Sequence, residues 1–558
     1  MPKVTINGRT VEVEAGTTLV DAALKVGVQI PHYCYHPRLS VVGQCRMCLV
    51  KIDGMPKLQA GCSTQVMKDG MVVRTDVPEV EEAQKGMMEF FLINHPLDCP
   101  ICDQAGECGL QDYSFKHGVA YSRFQYEDKR TYPGRERIPL GANVVLNMNR
   151  CIQCTRCVRF TQEIAGTGEL GFFNRGARAE IGTFPGRELD NPLATCVVDI
   201  CPVGALTSTR FRFAERVWYL DKKPSICTGC DVGCNITMEH RRGDIKRYKP
   251  RFNVEVNDYW MCDYGRSTHE RYKKIPRLTN PRAKTRTATN GHTTPTSWKD
   301  ALDTLDRQIR AAVEAKGEVA FLGSGYLTCE EAYLFGKLAD FAGSPHRAVP
   351  VDQGAGWTIP NLKGGITGRE LAPNRRGAEL AGLASTENGM AAEDLLRGDA
   401  AAHCDVLIVC DSDFSSVAYD QAMVERLRRA KLLVVFGWAD SPLAKVADLA
   451  LPVAHHGEKE GTFVNVEWRV QRFERAFPAP GQTRTTVEVL SDLLSRVDPA
   501  WASLSPGKVF DRIAAELPAF AGLNWHDLPA TGATLNVPGA GPAVVGDQAA
   551  PAVQENPS

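Results

Sequence analysis

Cysteine is the residue whose number and spacing most directly imply chemistry in this chain. Of the 19 cysteines, all but Cys329, Cys404 and Cys410 lie at or before Cys262. The N-terminal MPKVTINGRTVEV has no apolar core of the secretory kind, so a cytoplasmic location is expected. Clustered thiols in a reducing compartment point to metal rather than to disulfides. The first group, Cys34, Cys45, Cys48 and Cys62, reads C-x10-C-x2-C-x13-C. A loop that wraps one iron, with a remote cysteine closing the other, suits a two-iron cluster. Zinc, which also takes four cysteines, is the competing occupant.

His95, Cys99, Cys102 and Cys108 form the second group, H-x3-C-x2-C-x5-C. Three thiolates leave one iron of a four-iron cluster without a protein ligand, and imidazole can replace thiolate on iron. His95 lies one helical turn before Cys99 and is the candidate, with His117, Asp98 and Asp103 as its rivals. The third group is Cys151, Cys154 and Cys157, with Cys201-Pro202 far downstream. In two-cluster ferredoxins each C-x2-C-x2-C-x3-C-P run lends its last cysteine to the other cluster. Here the fourth position after Cys157 is Thr161, and the positions before Cys201 are Asn191, Ala194 and Val197. Each half has lost its complement, which leaves one four-iron site. Cys227, Cys230, Cys234 and Cys262, spaced C-x2-C-x3-C-x27-C, make the fourth group and suit another four-iron cluster. Cys196 is out of phase with these patterns and reads as a buried cysteine.

The elements that must position these groups follow from periodicity. Residues 1–78 begin with alternation around Asn7-Gly8, a hairpin dipeptide. A helix over 18–26 and strands at 48–52 and 71–74 complete a small mixed sheet crossed by a helix. Residues 79–118 open with a helix whose apolar positions are Ala83, Met87, Phe90 and Phe91. His95-Pro96 ends it, because the residue before proline avoids the helical region. Residues 140–215 and 220–276 carry the third and fourth groups. From 277 to 495 strands alternate with helices. Buried strands are expected at 319–322, 405–410 and 432–436, with a helix over 328–342 whose Thr328 and Glu331 match a capping box. The fold class is therefore multidomain, α+β followed by α/β with a parallel sheet. Residues 531–558, rich in Ala, Pro and Gly, read as a disordered tail.

Bulk properties narrow the function classes. Hydrophobic content of 43% and charged content of 23% are ordinary for a globular protein. A formal net charge of −1 gives no basic surplus for nucleic acid. Apolar runs such as 432–438 are too short to span a bilayer.

The segments HPLDCPICDQAGECGLQD (95–112), NRCIQCTRCVRFTQEIAGTGELGF (149–172) and VVDICPVGALTS (197–208) closely resemble the large iron–sulfur subunit of respiratory NADH:quinone oxidoreductase, or complex I. SICTGCDVGCNI (225–236) with WMCDYGR (260–266) resembles the extra cluster site of some bacterial members. The resemblance covers residues 1 to about 276. Beyond that the chain is similar to a degenerate, truncated molybdopterin oxidoreductase domain, best at EKEGTFVNVEWRVQR (458–472), where Trp468 stands at a usual glycine.

The resemblance implies a [2Fe-2S] ferredoxin-like β-grasp domain, a His/Cys helical module and a [4Fe-4S] ferredoxin-like module. It implies one [2Fe-2S] and three [4Fe-4S] clusters, no molybdenum or pterin, and no catalytic residue in this chain. Electrons would come from a flavin- and NADH-binding subunit. They would pass the Cys34 set, then the Cys151 set, then the His95 set, toward a two-cluster ferredoxin-like subunit and finally quinone. A small [2Fe-2S] subunit and other peripheral-arm subunits are further partners. The location implied is the cytoplasmic side of the inner membrane, reached through partners. Proton translocation would belong to membrane subunits.

Two other readings share these modules. One is a catalytic molybdenum or tungsten subunit of formate-dehydrogenase type. Against it, no cysteine lies between Cys262 and Cys329, and Tyr264 stands where active relatives carry lysine. Ser267, Ser297 and Ser324 lack the context of a metal ligand. The other is a cluster subunit of a soluble hydrogenase complex. In the α/β region, Gly323-Ser324-Gly325 follows a strand but reads as scaffold rather than a phosphate turn, and His455-His456 reads as a surface pair.

Overall fold

A computed structural model describes residues 1–284, 293–351, 353–358, 367–411 and 420–539. The chain divides into two compact units, residues 1–220 and 221–558. Residues 540–558 of the expected tail lie outside the described residues.

The first unit opens on the Asn7-Gly8 hairpin. Both residues take positive φ, 47° and 78°, as a two-residue turn between twisted strands requires. Lys3–Ile6 pairs antiparallel with Arg9–Glu12 and parallel with Met71–Arg74. Leu49–Ile52 and Gln59–Ala60 complete a five-stranded mixed sheet. The helix Leu19–Lys25 starts at Thr18, whose hydroxyl caps the Asp21 amide, and buries Leu19, Val20 and Ala23 against Val4, Ile6, Val50 and Val73.

A 16-residue helix, Pro78–Ile93, follows and stops before His95-Pro96. Its buried positions are Val80, Gln84 and Met88, not the face expected; Phe90 is 70% exposed. The reason is one aromatic anchor. Tyr33 donates its hydroxyl to the Met88 sulfur and packs edge-on against Phe91, rotating the helix away from Phe90. Val144–Leu146 then pairs antiparallel with Leu206–Ser208 and with Ile138–Pro139.

The second unit begins with an antiparallel sheet, Asp221–Ile226, Asn235–Arg241 and Asp244–Pro250. Its main sheet has seven strands, in the order Thr293–Pro295, Arg282–Lys284, Leu449–Pro452, Leu433–Gly437, Val406–Asp411, Val319–Leu322 and Arg347–Ala348. The last five are parallel. Both faces are covered, so the strands read as unbroken apolar runs. Cys329–Phe341 starts with the expected reciprocal capping box of Thr328 and Glu331. The expected tail departs from expectation at its start: Ala533–Thr534 adds a strand to Arg469–Phe473, which offers it free edge groups.

Three buried charged groups inside this unit are paired. Lys459 Nζ reaches Glu331 at 2.7 Å, both nearly inaccessible. Glu330 accepts from the Thr462 amide and hydroxyl at 3.0 and 2.7 Å. Burial raises the Glu330 carboxyl from 4.5 to about 7, against the opposing hydrogen bonds of Thr462. The folded state therefore holds a proton there that the unfolded chain has lost. The resulting stability is full below about pH 4.5 and disappears as pH rises to about 7. Glu330→Gln, whose Oε1 can accept the Thr462 amide while its Nε2 donates to the Thr462 hydroxyl, should flatten this dependence. The urea midpoint of the variant should fall less than wild type between about pH 5 and about pH 8; equal falls would contradict the assignment.

Candidate functional site

The first thiol group is built by strand ends. Cys48 precedes Leu49–Ile52 and Cys62 follows Gln59–Ala60, and the Gly61 amide donates to the Cys48 carbonyl at 2.8 Å. All four cysteines are buried. The thiols of Cys45 and Cys62 hydrogen-bond to Cys34, holding Cys34 low and raising themselves. Cys48 is lowered to about 7, chiefly by the Cys62 thiol. The four sulfurs thus share one small volume.

The third group closes around one cavity. Cys151, Cys154, Cys157 and Cys201 line it together with apolar side chains and Arg156. Gln153 and Thr155 take positive φ, 56° and 60°, and curl the loop so that the Gln153 amide points at the Cys151 sulfur, 3.4 Å away. Cys201 arrives from the other half, at the end of the helix Cys196–Ile200. The lost complementary positions are packed: Thr161, Asn191, Ala194 and Val197 are all buried, and the Thr161 hydroxyl donates to the Val158 carbonyl. Burial pushes the Cys201 thiol up to about 12 and raises Cys151 and Cys157 as well.

In the second group Cys102 and Cys108 are buried and Cys99 is exposed. Cys108 immediately precedes the helix Gly109–His117, and the Gly109 amide donates to the Pro202 carbonyl at 3.1 Å. Gly204 faces Cys102 so closely that a Cβ there would lie 2.2 Å from its sulfur. His95 is half-buried; burial, then Arg150 and Lys129, lower its imidazole to about 4. It is thus neutral, the form that can ligate a metal. Asp98 is paired with Arg150 at 2.9 Å, and Asp103 accepts the Phe213 amide at 2.9 Å. His117 faces the Tyr113 ring at the far end of its helix.

In the second unit, Cys227, Cys230 and Cys234 lie in the connection between the strands Asp221–Ile226 and Asn235–Arg241, and Cys262 caps the helix Asp263–Ser267. The Gly229 and Gly265 amides point at the Cys227 and Cys262 sulfurs, at 3.4 and 3.3 Å. A Cβ on Gly265 would sit 2.8 Å from Cys227 Sγ and 3.5 Å from Cys262 Sγ, so the two thiols flank one glycine. Burial raises Cys227 to about 12, with Arg271 and Arg266 opposing. Among the described residues no three His, Cys, Asp or Glu side chains close on a single-ion site.

Buried thiols with backbone amides aimed at their sulfurs fit iron–sulfur clusters, whose sulfur ligands are stabilised by such bonds. The serines weighed as alternative metal ligands are otherwise engaged. Ser267 donates to Tyr264, Ser297 caps the helix Trp298–Glu314, and Ser324 accepts the Tyr326 amide. Gly323 and Gly325 are close-packing positions, where a Cβ would meet Leu383 and Ala372 at 2.7 and 2.6 Å. Trp468 adopts the left-handed φ of 58° that its usual glycine would take, and Arg376 stacks on its ring. His455 and His456 are not a surface pair. His455 stacks on Tyr272 and bonds Glu458, and His456 meets Ser225 in the core. Sequence reasoning also passed over Arg156 and Arg159, which the structure buries or half-buries beside the third group. The available signal was two arginines inside the short, otherwise apolar run CVRF and its flank.

Five protein-family models match the chain. They are a 2Fe-2S iron-sulfur cluster binding domain (residues 2–78), the NADH-ubiquinone oxidoreductase-G iron-sulfur binding region (84–123) and the ferredoxin-like domain of NADH-quinone oxidoreductase subunit 3 (141–207). The molybdopterin oxidoreductase Fe4S4 domain (220–274) and molybdopterin oxidoreductase (376–496) follow. Fold and thiol groups together define a multidomain iron–sulfur protein of ferredoxin and molybdopterin-oxidoreductase parts.

The NADH-quinone oxidoreductase-G protein of Streptomyces coelicolor is 37% identical over 396 residues, 69% of this chain and 44% of that protein. Its Rickettsia bellii counterpart is 42% identical over 324 residues, 58% of this chain and 46% of that protein. The mitochondrial 78 kDa subunit of NADH-ubiquinone oxidoreductase from Neurospora crassa is 41% identical over 353 residues, 63% and 46% of the two chains. Over the matched residues the chain is similar to NADH-quinone oxidoreductase-G proteins. It spans about half the length of the curated relatives it matches. A solved NAD+-reducing [NiFe]-hydrogenase chain is 30% identical, covering 39% of this chain and 91% of its own, with a TM-score of 0.35.

Gly204→Ala should displace Cys102, because the added methyl overlaps the sulfur, and lower the iron content of the chain without disturbing the other thiol groups. Iron content with EPR of each signal checks this. Full retention of every signal would contradict the packing.

Proposed function

We propose that this chain is the iron–sulfur subunit of an NADH:quinone oxidoreductase, relaying electrons from a flavin subunit toward quinone. Coupling to proton translocation belongs to membrane subunits of the complex. The ligand sets are Cys34, Cys45, Cys48 and Cys62 for a [2Fe-2S] cluster, and three sets for [4Fe-4S] clusters. These are His95 with Cys99, Cys102 and Cys108; Cys151, Cys154, Cys157 and Cys201; and Cys227, Cys230, Cys234 and Cys262. When bound, such clusters supply reversible one-electron carriers whose potential is set by ligands, hydrogen bonds and burial.

One observation carries this reading. The cavity of the Cys151 set is tied on one side to Cys34, whose carbonyl accepts from Arg159 Nη2, and Arg159 also reaches the Cys154 carbonyl. On the other side Cys201 continues into Pro202, whose carbonyl receives the Gly109 amide and lies 3.8 Å from the Cys108 sulfur. Polar contacts therefore join the three sets in the order Cys34, Cys151, His95. That order differs from their order in the chain, and it supports a relay. His95 is favoured over its rivals because Asp98 and Asp103 are engaged elsewhere and His117 faces away along its helix.

The partners are then a flavin- and NADH-binding subunit, a small [2Fe-2S] subunit, a two-cluster ferredoxin-like subunit and other peripheral-arm subunits. Attachment to the cytoplasmic side of the inner membrane runs through them. Among the described residues no helix is long and apolar enough to cross a membrane. A molybdenum or tungsten active site in this chain is disfavoured by the packed glycines at 323 and 325 and the engaged serines.

Cys201→Ala should abolish the four-iron signal of the Cys151 set and reduce NADH-to-quinone turnover of the assembled complex to background. Retained turnover with that signal missing would refute the relay.

A further inference from the structure

The contact between the two-iron domain and the ferredoxin-like module is made by one helix face. The helix Arg156–Arg159 and the turn that continues it, Phe160–Ile164, present Arg156, Arg159 and Glu163 at successive turns. All three reach the loop that follows Cys34. Glu163 accepts from the Ser40 amide at 2.7 Å and from its hydroxyl. Arg156 donates to the Tyr35 carbonyl and, at 3.2 Å, to Ile200, the residue before Cys201. Arg159 is the most buried of the three, at 5% exposure. Its guanidinium donates to the carbonyls of Ser40 and Cys34, both at 2.5 Å, and of Cys154 at 3.3 Å, while Nε reaches the Thr155 hydroxyl at 3.4 Å. Gln44 adds a bond to the Gln153 carbonyl at 2.5 Å.

We propose that Arg159 is a positioning residue of the relay, fixing the Cys34 and Cys151 ligand sets against each other and favouring the reduced form of both. The inference rests on the relay reading above and adds a role to a residue that ligates nothing. Two features of arginine make it suitable. Its planar fork can serve three carbonyls at once, which a lysine ammonium at the end of a flexible stem cannot hold in one geometry. Its charge is permanent and sits in a low-dielectric interior, where it stabilises an added electron on either neighbour far more than it would in water. No proton moves: one electron leaves the first site as one arrives at the second, and the guanidinium stays protonated throughout.

The chemistry also explains why the partners are carbonyls. Backbone oxygens satisfy the donors without neutralising the charge, as a carboxylate would. The same oxygens belong to Cys34 and Cys154 themselves. A shift of either loop therefore breaks a hydrogen bond to a buried cation, which is costly.

The test uses the full-length chain with its clusters in place, comparing wild type, Arg159→Gln and Arg159→Lys. Iron content is measured first, then EPR-monitored redox titrations and the spin–spin broadening between the two-iron signal and the Cys151-set signal. Arg159→Gln should lower the midpoint potentials of both signals and weaken their mutual broadening, with the Cys227-set signal unmoved. Arg159→Lys, which keeps the charge but not the fork, should restore the potentials toward wild type without restoring the broadening. Selective loss of those two signals in the Gln variant, with the Cys227 set loaded, would equally support the assignment. Unchanged potentials and broadening would overturn it, as would an effect on one signal alone or on all signals alike. A wild-type chain without the two signals would instead refute the ligand sets, so the two failures are separable.

Discussion

A buried thiolate is expensive unless something nearby answers its charge, and the organisation around the cysteine groups follows from that constraint. Burial first, and then the neighbouring thiols, pushes Cys151, Cys157, Cys201 and Cys227 upward, so without metal these thiols keep their protons. Iron binding must displace those protons, which couples assembly of the sites to pH and to folding. Around the sulfurs the protein supplies fixed positive dipoles rather than free charges. The Gln153, Gly229 and Gly265 amides point at sulfur, and at Gly265 a side chain would strike the Cys227 thiol. Where a full charge is used, beside the Cys34 and Cys151 sets, it is a guanidinium whose donors end on carbonyls.

The two units use different means to hold their sites. In the first, sites lie between small elements: strand ends for the Cys34 set, a curled loop and two short helices from distant halves for the Cys151 set. Their rigidity comes from cross-links such as Arg159 and the Pro202 carbonyl rather than from long elements. In the second, the Cys227 set sits on an antiparallel sheet, within a unit dominated by a parallel sheet covered on both faces. That parallel sheet retains the architecture of a cofactor-binding fold. Its turn after the strand Val319–Leu322, however, is filled by Leu383 and Ala372 packed against glycine, and Glu330, Glu331 and Lys459 satisfy one another or their neighbours inside it.

What was legible in the sequence was whatever depends on local spacing. Asn7-Gly8 specified its turn, Thr328 and Glu331 their capping box, and His95-Pro96 the helix end, because each is decided by backbone sterics or by bonds within four residues. Cysteine spacing marked the thiols that the fold brings together, around one cavity in the third group and about Gly265 in the fourth, because most of each group lies on one short loop. What was hidden depends on packing between distant segments. The helix Pro78–Ile93 turned by one position because Tyr33, far away in sequence, engages Met88 and Phe91. His455 and His456 look like an exposed pair until Tyr272 and Ser225 are brought to them. Arg159 carries no motif of its own, since its partners are carbonyls that any residue could provide. The strand Ala533–Thr534 lies in a stretch whose composition suggests disorder, and the open edge of Arg469–Phe473 and the Arg469 side chain hold it.

Metal analysis of the anaerobically purified full-length chain tests the central claim most directly, with iron, zinc, molybdenum and tungsten measured together. About fourteen irons per chain, as one two-iron and three four-iron clusters require, with molybdenum and tungsten absent, is the predicted result. Stoichiometric molybdenum or tungsten would make this a catalytic subunit, and zinc in place of iron would remove the relay altogether.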